Sequence, residues 1–263
     1  MRLDLWLTEN GYAESRQKAK ILLSDGKVLI DGKPVAKAAF EMTPEKEGAV
    51  EVIGEALPYV SRGGLKLKGA VDGFGLSVSG LVCLDLGAST GGFTDCLLKE
   101  GAARVIAVDS GTAQLHKSLR SDLRVTVMEN TNARFLTPSA IGTFVDLVTC
   151  DLSFISQTKV YGAVASVLKP GGRFVSLVKP QFEAGREHIG KNGIVRDPKV
   201  YDAVKAMIVK EAESYGLTCR GMIDSPITGG DGNREFLALF VKNEQTKEEK
   251  PNGTDSDPES REG

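Results

Sequence analysis

The sequence predicts an α/β protein: a doubly wound sheet of seven strands behind a small α+β unit. Three observations carry this. From residue 81 onward, apolar strand-like runs alternate with helical stretches, the pattern of parallel βαβ units. A glycine-rich loop, residues 87–92, follows the first of those runs and opens a helix, where such sheets bind their ligands. Residues 1–57 instead read as two short amphipathic helices and a tight hairpin.

The elements follow in order. Leu3, Leu5, Trp6 and Leu7 make an apolar helical stripe stopped at Gly11. Ser15 is placed to cap a second helix, 16–24, with Ala19, Leu22 and Leu23 inward and Arg16, Lys18 and Lys20 outward. Strands on either side of Asp31-Gly32 form a hairpin, which Val50, Val52 and Ile53 complete. Residues 58–62 read as a linker, and Lys66 to Phe74 as the helix leading into the large domain, 63–242. Its strands are 81–86, 104–108, 124–128, 144–150, 172–178, about 217–223 and 235–241. Helices are expected at 92–100, 156–168 and 198–214. The short link between the last two strands suits a final antiparallel hairpin. From Asn243 the tail holds three basic and seven acidic residues and no Val, Ile, Leu or aromatic. It is expected to be disordered, and its charge leaves the remainder at +2.

Composition excludes several classes. No apolar run nears the ~18 residues of a membrane span, and Asp4 and Glu9 interrupt what would be a signal peptide. Cys83, Cys96, Cys150 and Cys219 form no CxxC pair, so they read as small buried residues of a reducing, cytoplasmic protein, with no metal site expected. In residues 1–40 seven basic groups face five acidic ones, many on one helix and the hairpin after it. A cluster of that kind suits phosphate contacts.

The chemistry-bearing residues gather at strand ends. Asp85 precedes the loop Gly87-Ala88-Ser89-Thr90-Gly91-Gly92-Phe93. It is neither GxGxxG nor a P-loop. Its glycines let the backbone turn and approach a ligand, and its acid suits a cationic, zwitterionic one such as S-adenosylmethionine. Asp109 ends the next strand, where an acid reaches a cofactor ribose. Asp151 ends the fourth strand, Lys179 the fifth, and Glu235 opens the last. A rival reading takes 87–91 as a G-x-S-x-G elbow, with Ser89, Asp151 and His188 as a hydrolase triad. It leaves Asp85 and Asp109 idle, and His188 sits in a glycine-rich loop ahead of two further strands. A binding module without catalysis and a cytolysin are the other classes; the intact loop and the lack of a lipid-seeking segment oppose them.

The N-terminal pattern Arg2-Leu3-Asp4, Ser15-Arg16 with Ala19, and Gly26-Lys27-Val28 with Gly32 resembles the RNA-binding domain named after ribosomal protein S-four. Behind it stand SRGGLKL, DLGASTGGFTDCLL, NTNAR, DLSFIS, LVKPQFE and GNREF. This string resembles the TlyA-type family of hemolysin-named rRNA 2′-O-methyltransferases, within the FtsJ-like group. The resemblance implies a Rossmann-like methyltransferase domain and S-adenosyl-L-methionine as cofactor. It implies a catalytic tetrad of Lys66, Asp151, Lys179 and Glu235, and cofactor contacts from Asp85, Gly87, Ser89, Gly91, Gly92, Phe93, Asp109, Asn132 and Asp151. Ribosomal RNA or a ribosomal subunit would be the partner, met by Arg2, Arg16, Lys18, Lys20, Lys27, Lys33, Arg62 and Lys68, with no membrane and no obligate protein partner. Arg186, Lys191 and Arg196 are further candidates for phosphate contacts. A ribose hydroxyl is a poor nucleophile, so a base must take its proton. A lysine fills that role only where burial or a cation such as Lys66 disfavours its charge.

Overall fold

The computed structural model describes residues 1–13, 15–53, 57–190, 193–229 and 232–244. Lys191 and the acidic tail beyond Glu244 lie outside these residues.

The N-terminal unit comprises α1 (Leu3–Glu9), α2 (Arg16–Ser24), β1 (Val28–Ile30), β2 (Lys33–Pro34), α3 (Pro44–Glu47) and β3 (Val50–Val52). Ser15 caps α2 by accepting from the Lys18 N–H at 3.2 Å. Asp31 and Gly32 both adopt positive φ, as the tight β1–β2 turn demands. The three strands pair antiparallel in the order β2-β1-β3. Leu3, Trp6, Leu7, Leu22, Leu23 and Val28 form the core beneath them.

The larger unit begins with α4 (Gly63–Gly73), three residues ahead of the expected start. Gly64 lets this first turn pack against Tyr59, since a Cβ there would lie 2.2 Å from its ring. There follow β4 (Val82–Leu86), α5 (Gly92–Lys99), β5 (Arg104–Val108), α6 (Lys117–Arg120), β6 (Val125–Met128), α7 (Pro138–Ile141) and β7 (Val145–Cys150). The chain continues through α8 (Tyr161–Val167), β8 (Leu168–Val178), α9 (Pro180–Glu183), α10 (Pro198–Ser214), β9 (Leu217–Asp224) and β10 (Phe236–Lys242). The helix expected over 156–168 is split between a 3-10 turn, Gln157–Val160, and α8.

The seven strands run β6-β5-β4-β7-β8-β10-β9, with β10 antiparallel to both neighbours. The last two strands do form the expected hairpin, but its second strand inserts between β8 and β9. Burial explains the exchange: Phe236 to Phe240 are all buried, whereas β9 is mostly half-exposed. The strand that is apolar on both faces takes the interior, and the mixed one takes the edge. Two cores flank the sheet, one around Tyr161, Phe174 and Phe240, the other around Leu67, Leu97 and Leu237. The order reverses beside β4, which pairs with β5 on one side and β7 on the other. The loops leaving β4 and β7 therefore diverge from a single crevice. Among the described residues no helix is long and apolar enough to cross a membrane.

Candidate functional site

The crevice is built where the β4 and β7 loops meet. Gly87 has φ 81°, and a Cβ there would sit 2.4 Å from the Asp151 carbonyl oxygen. Glycine is required at this point, for the approach of the two loops as much as for any ligand. Beyond it the chain turns through Ser89, at φ 47°. The Ser89 N–H donates to Asp109 Oδ2 at 2.8 Å, and the Gly111 N–H to Asp109 Oδ1 at 2.7 Å. The acid at the end of β5 thus ties the glycine loop to the next loop while lining the crevice.

Three adjoining cavities lie along this edge. The largest, about 590 Å3, runs between Gly87, Ser89, Asp109, Gln114, Asn132 and the segment 151–155. A second, about 290 Å3, joins it at Gly87, Ser89 and Asp151 and is lined by Ser61, Arg62, Gly63, Gly92 and Phe93. Ile21 of α2 also lines this second cavity, and Gln17 donates to Thr90 at 3.3 Å. The third, about 380 Å3, lies between Lys66, Ser153, Phe154, Lys179, Gln181 and Glu235. Lys66 is common to the second and third, and Ser153 and Phe154 to the first and third.

The four expected tetrad residues come together as two ion pairs. Lys66 Nζ donates to Glu235 Oε2 at 2.6 Å, and their side chains are only 12% and 2% exposed. Lys179 Nζ lies 2.5 Å from Asp151 Oδ1, with Lys179 10% exposed. The placements follow from the fold: Asp151 and Lys179 extend parallel neighbours β7 and β8, Glu235 precedes β10 beside β8, and Lys66 stands on the first turn of α4. A Cβ on Gly229 would come within 2.7 Å of Glu235 Oε1, so a glycine makes room for this carboxylate.

Other expected residues sit differently. Asp85 is fully buried and does not line these cavities; its oxygens accept from Thr94 Oγ1 at 2.7 Å and Thr149 Oγ1 at 2.9 Å. Burial pushes its carboxyl up to about 6, against those two hydrogen bonds. It braces the strand beneath the loop instead of facing a cation. Gly91 likewise does not line them: at φ 100°, its missing Cβ would fall 2.2 Å from Leu119. Its left-handed backbone and its packing against Leu119 both call for glycine. Phe93 is almost wholly buried, and Asn132 accepts from the Arg134 N–H at 3.1 Å at the cavity rim.

The expected RNA contacts divide as well. Arg2 and Arg16 both hold the buried carboxylate of Asp4, each at 2.9 Å, with their own side chains half-exposed. Lys20 and Lys33 are exposed, and Lys18 and Lys27 half-buried. Lys68 is engaged with Asp72 at 2.8 Å and Glu100 at 3.1 Å, away from the crevice, because α4 turns it off the face that carries Lys66. Arg62 lines the second cavity and reaches Asp25 at 3.4 Å, so it belongs to the crevice. Arg186 and Arg196 are exposed. The hydrolase triad is not assembled. His188 lines a separate cavity beside Glu187, and Asp151 is occupied by Lys179.

Sequence reading passed over Ser61, Ser153, Phe154 and Asn233. Phe154 is 88% exposed at φ 68°, a strained backbone for an aromatic residue on a cavity lip. Asn233 is buried, donating to the Gly193 carbonyl at 3.0 Å and accepting from the Val195 N–H at 3.1 Å, which anchors the segment before α10. All four stand inside the motifs SRGGLKL, DLSFIS and GNREF, and only that membership could have singled them out.

A mixed seven-stranded sheet with β10 inserted antiparallel, and a glycine-loop crevice at its switch point, define a methyltransferase-type α/β domain joined to a small α+β domain. The FtsJ-like methyltransferase family matches residues 59–242, and the S4 domain matches residues 1–47. The chain belongs to the FtsJ-like methyltransferase family. It is 45% identical to the 16S/23S rRNA (cytidine-2′-O)-methyltransferase TlyA of Mycobacterium tuberculosis, over 90% of this chain and 88% of that protein. It is 40% identical to Hemolysin A of Brachyspira hyodysenteriae, over 92% of this chain and all of that one. A solved structure of a Streptococcus thermophilus protein named as a hemolysin superposes with a TM-score of 0.74 at 43% identity, covering 92% and 88% of the two chains.

Proposed function

We propose that this protein transfers a methyl group from S-adenosylmethionine to a ribose 2′-hydroxyl of ribosomal RNA. The observation that carries the reading is the shared wall of the three cavities. One side suits a nucleoside and an amino acid; the other holds two lysine–carboxylate pairs largely shielded from solvent. The first and second cavities together have the size of sites for ligands of this kind. Asp109 offers carboxylate lone pairs to ribose hydroxyls at the larger end, and Arg62 offers a cation to a carboxylate at the smaller. When bound, the cofactor supplies an electrophilic methyl group.

The remaining chemistry falls to the chain. Lys179, at the end of β8, takes the proton from the ribose O2′, which must become a better nucleophile as it reacts. Asp151 holds that lysine in place. The Lys66–Glu235 pair sits across the third cavity as a fixed dipole that orients the ribose. Burial strengthens these interactions by excluding water, and alignment of the two substrates supplies much of the rate. Phe154 offers an exposed ring against which a nucleobase can stack. The basic residues of the N-terminal unit hold the RNA, with Lys20 and Lys33 placed to meet phosphates. The site in a reducing, cytoplasmic setting accords with the four free thiols.

The test is mapping of ribose methylation in rRNA incubated with the purified protein and S-adenosylmethionine. A new 2′-O-methyl group, absent with Lys179→Ala, is the expected result. Methylation on a base atom, or none on any rRNA or ribosomal subunit, would refute the assignment.

A further inference from the structure

Lys179 has two polar neighbours of different kinds. The contact with Asp151 Oδ1, at 2.5 Å, is close but lies off hydrogen-bonding directions; that oxygen makes no hydrogen bond although it is buried. The bond with proper direction runs from Lys179 Nζ to Ser153 Oγ at 2.9 Å. Ser153 stands two residues past Asp151 on the loop leaving β7, exposed, where the first and third cavities join. That junction is where a methyl donor in one cavity would face an acceptor in the other.

We propose that Ser153 is a positioning residue for the methyl transfer: its oxygen fixes the rotation of the Lys179 amine so that the nitrogen lone pair points into the third cavity. The inference rests on the reading of Lys179 as the base. Before reaction the Lys179 ammonium gives one proton to solvent, and the neutral amine then carries two N–H bonds and one lone pair around an axis that turns freely. An ion pair supplies attraction but little orientation, whereas a hydrogen bond is directional. With one N–H committed to Ser153 and the next position facing Asp151, the remaining tetrahedral position opens to the cavity. There the lone pair receives the proton of O2′ as the oxygen forms its bond to the methyl carbon, and the C–S electron pair returns to sulfur. After transfer the new ammonium keeps its bond to Ser153. The other charged pair of this cavity, Lys66 with Glu235, is closed on itself and offers Lys179 no substitute anchor.

Ser153→Ala in the full-length protein tests this, measured by methyl transfer to rRNA over a range of pH. Turnover is expected to fall roughly tenfold, the worth of about one hydrogen bond, with KM for RNA and cofactor affinity unchanged. Ser153→Thr, which keeps the hydroxyl, should restore turnover. Wild-type kcat in Ser153→Ala would overturn the proposal. So would a loss confined to KM or cofactor affinity, or one that threonine does not repair. Lys179→Ala measured alongside separates the two levels: activity surviving there removes the base itself, whereas an inert Ser153 beside an essential Lys179 removes only the positioning role.

Discussion

Buried carboxylates organise basic side chains at both ends of this molecule, and the two ends use opposite chemistry. In the N-terminal unit, Asp4 is fully buried and gathers Arg2 and Arg16, whose own side chains stay 50% and 51% exposed. The Arg2 hydrogen bond, more than any other contact, holds the Asp4 carboxyl well below the usual carboxylate range. At the sheet edge the cations are lysines: Lys179 and Glu235 are buried, and their partners Asp151 and Lys66 are only 22% and 12% exposed. Guanidinium keeps its charge at any working pH and presents several donors, so the N-terminal arrangement projects permanent positive charge outward. An amine can give up its proton, so the inner arrangement suits the proton transfer proposed for Lys179. On the proposed function, the same pairing rule would present charge to RNA in one place and hold a reactive amine in the other.

The contrast breaks most visibly at Lys179. Lys179→Arg keeps the charge and loses the removable proton, so methyl transfer should fall by ~10²–10⁴-fold, close to the effect of Lys179→Ala. RNA binding and cofactor binding, followed separately by titration, should stay near wild type, since the contribution appears in the transition state. Near-normal turnover in the arginine variant would place the lysine with the N-terminal arginines, as a charge and nothing more.

A smaller effect sharpens the other side. Lys33→Ala should weaken RNA binding across sequences and reduce the slope of log K against log salt by about one. Arg16→Ala should do the same and also lower the melting temperature, because Asp4 then keeps one cation where it had two. Equal melting temperatures in the two variants would show that the Asp4 cluster contributes nothing to folding.

The smallest effect concerns a third carboxylate, Asp85, buried without any cation. Its folded value of about 6 lies above the ordinary 3.8, so folding takes up a proton between those pH values. Its contribution therefore favours the folded state at low pH and fades as pH rises through about 6. Relative to Asp85→Asn, the wild-type melting temperature should gain on moving from pH 7 to pH 5. Parallel curves for the two proteins would remove the assignment.

Local sequence chemistry determined much of this protein. Ser15 followed by alternating polar and apolar residues specifies a capped helix, and Asp31-Gly32 specifies a tight turn, because both depend on neighbours a few residues away. The strand–helix alternation and the glycine loop located the crevice for the same reason. Asp151, Lys179 and Glu235 were legible because strand ends of an α/β sheet converge on one edge, and Lys66, on the helix entering the domain, only through the family resemblance. Tertiary structure alone decided the rest. Asp85 turns to Thr94 and Thr149 because its strand presents it to α5 and β7, and side-chain direction across a sheet is not written in one segment. Gly91 adopts a left-handed backbone and packs against Leu119, twenty-eight residues later, so part of its reason lies in tertiary packing. Lys68 leaves the crevice because two positions on a helix past Lys66 is the opposite face. Ser153 meets Lys179 only once β7 and β8 lie side by side, since a hydrogen bond between residues 26 apart exists in the fold and nowhere in the sequence.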